Sequence, residues 1–112
     1  MKDDKLYIIH IKECIERVEK YVGDGGKGAF MASGLIQDAV IRNLQTMAES
    51  TQRMSEDTKM AHPEIDWFKI SGFRNVLVHD YLGVDMEMVW NIIENDLPKL
   101  KQSVGKILEE QK

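Results

Sequence analysis

The sequence predicts an all-α protein built as one domain. Apolar residues recur at alternating spacings of three and four in each long segment, which is the period of one helical face. No stretch alternates apolar and polar residues at the strand period of two. Glycine, proline and capping residues cut the chain into helix-length pieces. The 112 residues fit a single domain with one core, taken as 1–112.

The first piece, about Asp4 to Val22, carries Ile8, Ile11, Ile15, Val18 and Val22 on one stripe, with Glu13, Glu16, Arg17, Glu19 and Lys20 mostly off it. Leu6, Ile9 and Cys14 give a second apolar edge, so this helix is expected to face more than one neighbour. The following GDGGKG spells G-x-G-x-x-G at Gly23, Gly25 and Gly28. It follows a helix rather than a strand, and Lys27 is followed by Gly28 and Ala29, so neither a dinucleotide fingerprint nor a P-loop fits. A flexible connection is expected there.

A second helix is expected from about Phe30 to Arg53, with Ile36, Val40, Leu44 and Met47 toward the core. Gly34 inside it suggests a close helix–helix approach. Ser55 reads as the N-cap of a short helix that ends at His62–Pro63, because the residue before proline avoids helical geometry. Asp66 can cap the next helix, beginning at Trp67. The last helix starts after Gly83 with Asp85 as N-cap. It carries Val89, Ile93, Leu97, Leu100, Val104 and Ile107 inward, and Pro98 should kink it.

Composition excludes several classes. About 43% apolar and 30% charged residues are ordinary for a soluble globular protein. No apolar run approaches the ~18 residues of a membrane span. The opening MKDDKL lacks the basic-then-apolar pattern of a signal peptide, and the single Cys14 cannot form an internal disulfide, so a cytoplasmic location is expected. The net charge of −4 gives no general attraction to nucleic acid, so RNA binding would need charge focused locally. Three histidines and one cysteine show no metal-ligand spacing, and no metal or cofactor is expected.

The densest chemistry lies in RNVLVHDY, Arg74 to Tyr81. On a helical wheel Trp67, Ile70, Phe73, Leu77 and Val78 form a broad apolar arc, and Arg74 falls inside it. A guanidinium there must either pair with a carboxylate, for which Glu49 is available, or point into a wet groove that binds an anion. His79 lies ~140° from Arg74 on an unbroken helix. The two converge only if the helix loosens near His79, or if copies face each other across a dimer axis. Histidine suits proton transfer and arginine suits phosphate oxygens, so together they fit phosphoryl-transfer chemistry.

At these residues the sequence resembles the HepT-type toxins of the HEPN superfamily. Arg74, His79 and Tyr81 form R-x4-H-x-Y, and Asn75 gives the R-N start. P-E-I-D-W at Pro63 to Trp67, I-x-G-x-R-N at Ile70 to Asn75 and L-P-x-L at Leu97 to Leu100 extend the likeness over nearly the whole chain. Glu49 matches the glutamate of a G-E-A-like element, with Ala48 and Ser50 in place of its neighbours.

The resemblance implies a four- to five-helix up-and-down bundle that dimerises. It implies the toxin of a type VII toxin–antitoxin system, a metal-independent endoribonuclease with a composite site at the dimer interface. Arg74 and His79 would be catalytic, the 2′-hydroxyl of RNA attacking the adjacent phosphate, and Asn75, Asp80 and Glu49 would shape the site. The implied partner is a minimal nucleotidyltransferase antitoxin that attaches AMP to Tyr81 and silences the enzyme, in assemblies larger than the homodimer or not. Without the resemblance, Tyr81 reads as a core or interface tyrosine. The alternative function is a non-catalytic, nucleotide-binding regulatory subunit.

Overall fold

In the computed structural model of this chain the described residues are 2–78 and 85–110. They form α1 (Lys2–Val22), α2 (Gly26–Ala32), α3 (Gly34–Arg53), α4 (Glu56–Ala61), α5 (Trp67–Val78), α6 (Met86–Asn91) and α7 (Leu97–Glu110). No strand occurs among the described residues. The architecture is the helical bundle expected from the sequence, with α1 packed against α3 and α7, and α5 against α3.

The core sits where the helical stripes meet. Ile8, Ile11, Ile15 and Val18 of α1, Val40, Leu44 and Met47 of α3, and Val104 and Ile107 of α7 are all buried. Burial of one such side chain stabilises the fold by about 1.5–3 kcal/mol, which outweighs the weak intrinsic preference of any one residue for helix. Cys14 belongs to this core, and burial pushes its thiol up from its ordinary value. The second edge expected on α1 is only partly realised, since Leu6 is exposed.

The glycine segment does more than connect. Gly23–Gly25 makes one 3-10 turn, and Gly23 and Gly26 take φ of 59° and 60°, which side chains disfavour. Gly26 then opens α2, which sends the buried Phe30 against Trp90 with ring centroids 5.6 Å apart. The helix expected from Phe30 to Arg53 is broken at Ser33, whose backbone is extended at φ −124°, ψ 110°. The Ser33 Oγ accepts from the Ile36 N–H at 3.1 Å, and the Gln37 side-chain amide donates to the Phe30 and Met31 carbonyls at 3.1 and 3.2 Å. Polar groups thus satisfy both ends of the break, so it costs little. Gly34 is simply the first residue of α3, and among the described residues nothing approaches the space where a side chain would stand, so no close helix approach occurs there.

The kink expected at Pro98 takes the form of a π turn over Ile92–Asp96, just before α7. Proline lacks an N–H and its ring collides with the carbonyl four residues back. Widening relieves that collision, and the Leu97 N–H donates to the Ile92 carbonyl. The extra residue also shifts the inward stripe, so that Ile92 rather than Ile93 is buried ahead of Leu97 and Leu100.

At one end of the bundle α1 is fastened to α4. Asp4 is 5% exposed and its carboxylate accepts from the Ser55 Oγ at 2.6 Å, from the Ser55 N–H at 3.3 Å and from the Thr58 hydroxyl. Ser55 is the expected N-cap of α4, its Oγ accepting from the Thr58 N–H at 3.2 Å. Desolvation favours the protonated acid, but the bonds from Ser55 and Thr58 outweigh it and hold Asp4 below its ordinary value.

Candidate functional site

The candidate site begins on α5, and local rules place that helix. Asp66 caps it as expected, its Oδ1 accepting from the Lys69 N–H at 2.9 Å. The Trp67 indole N–H donates to the Lys59 and His62 carbonyls at 3.0 Å each, tying the start of α5 to the end of α4. Ile70 and Phe73 are buried against the bundle. Among the described residues α5 contacts chiefly one bundle helix, α3, so its buried arc is narrow and no described element covers its outer face.

That narrowness corrects the helical-wheel expectation for Arg74. Trp67, at the rim of the predicted arc, is only half-buried, and Arg74, seven residues on along the same row, is exposed. Glu49 on α3 is exposed as well, and no ion pair joins it to Arg74 among the described residues. The arginine therefore has no burial cost that Glu49 needs to offset. Asn75 follows Arg74 within α5. His79, Asp80 and Tyr81 lie outside the described residues.

Two concavities flank α5. One, of about 240 Å³, opens between α5 and the π turn with α7; Ile70, Phe73 and Leu100 line it, and the Lys69–Asp96 ion pair of 2.9 Å spans the same gap. The other, of about 380 Å³, lies between α4 and α5 and is lined by Glu56, Lys59, Met60, Trp67, Phe68 and Ser71. Phe68 there is 88% exposed and Met60 75%. The sequence contained a signal for this groove that periodicity counting passes over. Adjacent helical residues diverge by about 100°, so Trp67 and Phe68 cannot both turn inward. Among the described residues no cluster of His, Cys, Asp and Glu is arranged to hold a metal ion.

Comparison with known proteins gives the arrangement a context. The family model described as ribonuclease HepT-like matches residues 11–107. A γ-glutamylcyclotransferase and putative RNase of Methanocaldococcus jannaschii is 36% identical over 97% of this chain, which spans 49% of that relative's own length. A probable ribonuclease HepT of Thermococcus cleftensis is 33% identical, with 95% of this chain and 96% of that relative covered. The crystal structure of a mutant MntA–HepT toxin–antitoxin pair contains a chain similar to this one at a TM-score of 0.68 and 26% identity, covering 96% of this chain and 98% of the other. With Arg74 exposed on the outer face of α5 and the match running from α1 into α7, the chain belongs to the HepT-like ribonuclease family.

Proposed function

We propose that this chain is the RNA-cleaving toxin of a toxin–antitoxin pair. The observation that carries the reading is the solvent-exposed Arg74, at the head of R-x4-H-x-Y, on a helix whose outer face no described element covers. An exposed guanidinium keeps its donors available to phosphate oxygens, whereas one locked to Glu49 would not. The net charge of −4 makes such a local cation the more important, because the chain as a whole repels RNA.

In the proposed reaction the RNA 2′-hydroxyl gives up its proton to His79 and attacks the adjacent phosphorus. The bond to the 5′-oxygen breaks, His79 returns the proton to that oxygen, and a 2′,3′-cyclic phosphate remains. Arg74 steadies the charge on the phosphate oxygens, with Asn75, Asp80 and Glu49 shaping the surroundings. DNA has no 2′-hydroxyl and is not cut. Two chains would supply two motifs to one cleft and double its cationic charge.

The partner in this reading is a minimal nucleotidyltransferase that transfers AMP to the Tyr81 hydroxyl. A phosphodiester and an adenine two residues from His79 would fill the cleft with negative charge and bulk. The likeness to a chain of the MntA–HepT pair supports a partner of that kind. The direct test is cleavage of RNA by purified protein with chelator present: His79→Ala should lose activity, and equal cleavage by wild type and variant would refute the reading. Mass spectrometry after co-expression with the nucleotidyltransferase should find adenylate on Tyr81.

A further inference from the structure

The fold leaves Phe68 and Met60 unexplained, since both are exposed and neither contributes to the core. They stand on the groove between α4 and α5, whose Trp67 wall is fixed by its two hydrogen bonds to backbone carbonyls. Trp67, Ser71 and Arg74 follow one another at i, i+4 and i+7, so one row of the α5 surface runs from this groove to the arginine. Phe68, beside that row, is six residues from Arg74, about 9 Å along the axis and ~120° around it, so the ring and the guanidinium stand on neighbouring faces of one helix. A separation of that order suits a base and a phosphate of the same stretch of strand.

We propose that the groove between α4 and α5 binds an unpaired nucleobase of the RNA whose phosphate sits at Arg74, with Phe68 stacking on the base. The proposal rests on the function proposed above and adds the feature of the substrate that is recognised. An engineered cavity of about 150 Å³ holds a benzene ring, so about 380 Å³ admits a base of two rings. Glu56 and Lys59, 3.1 Å apart at the groove, offer an acceptor and a donor to the base edge. A base is uncharged and tolerates the Glu56 carboxylate, which would repel a phosphate. The strand is thereby oriented, base toward α4 and phosphate toward Arg74. A protein partner fits less well, because an ordinary protein interface takes about 20–30 residues a side and six line this groove. The recognised base must be unstacked, so the substrate is single-stranded at that position.

The test compares wild type, Phe68→Ala, Phe68→Trp and Arg74→Ala on short single-stranded RNAs, together with binding of a 2′-O-methyl oligonucleotide carrying one 2-aminopurine. Phe68→Ala should raise KM about tenfold and abolish 2-aminopurine quenching, while Phe68→Trp keeps both near wild type. Because Phe68 is almost wholly exposed, Phe68→Ala should fold normally. Unchanged KM and quenching in Phe68→Ala would overturn the proposal. So would a change confined to its oligomeric state in sedimentation, which makes the groove a protein interface. If wild type cleaves no RNA yet quenches 2-aminopurine through Phe68, the base site stands and the nuclease reading falls. Neither cleavage nor quenching would overturn both.

Discussion

Asp4 and Arg74 are both charged residues on helices, and they meet opposite environments. Asp4 is buried where α1 meets α4, with Ser55 and Thr58 supplying its hydrogen bonds. Arg74 is exposed on α5, a helix that packs chiefly on α3 alone. A buried charge with its donors in place fixes one element against another, because leaving it unpaired is expensive. An exposed cation on a half-covered helix stabilises little and stays open to an external anion. The first is architecture, and the second leaves a cation facing solvent.

Four experiments would break or sharpen this contrast. Arg74→Ala should lower RNA cleavage about 100-fold or more, with the thermal midpoint nearly unmoved, as measured by initial rates beside calorimetry. A large loss of stability instead would make Arg74 architectural. Asp4→Ala should do the reverse. It should lower unfolding free energy by about 2–3 kcal/mol in urea titrations, with cleavage per folded molecule intact.

The same carboxylate predicts a pH signature. Its folded-state value lies below the ordinary 3.8, so the ionised form is favoured by folding. Its contribution is fully present above that ordinary value and is lost as pH falls through the lower folded one. The stability gap between wild type and Asp4→Ala should therefore hold near neutral pH and narrow only under strongly acidic conditions. A gap that closed near pH 6 would point to another group. The smallest effect is expected for Glu49→Gln, within about 0.5 kcal/mol, because its carboxylate is exposed and unpaired with Arg74. A larger shift would restore the ion pair between them.

Much of the fold was legible because it depends on local rules. The N-caps Ser55, Asp66 and Asp85 lie where the sequence puts them, and each side chain accepts from backbone N–H groups of its own first turn. The inward stripes of α1, α3 and α7 also hold, since periodicity alone says which residues share a face. The break at Ser33 was harder to see, because it is sealed by Gln37 reaching back across it. The one-residue shift from Ile93 to Ile92 belongs to the π turn, which no 3.6-residue period describes. Asp4 reads as an ordinary first-turn acid until α4, distant in sequence, is folded beside it.

The candidate site divides along the same line. By itself the sequence determined an all-α chain, its principal caps and core stripes, and the R-x4-H-x-Y spacing with its family resemblance. Those features rest on neighbours within a few residues, or on residue order alone. Tertiary structure alone decided that Arg74 faces solvent rather than Glu49, that Asp4 is buried, and that Trp67 and Phe68 frame a groove against α4. A helical wheel ranks directions around an axis but does not count the neighbours covering them. Among the described residues α5 has chiefly one, and no described element covers Phe68 or Arg74.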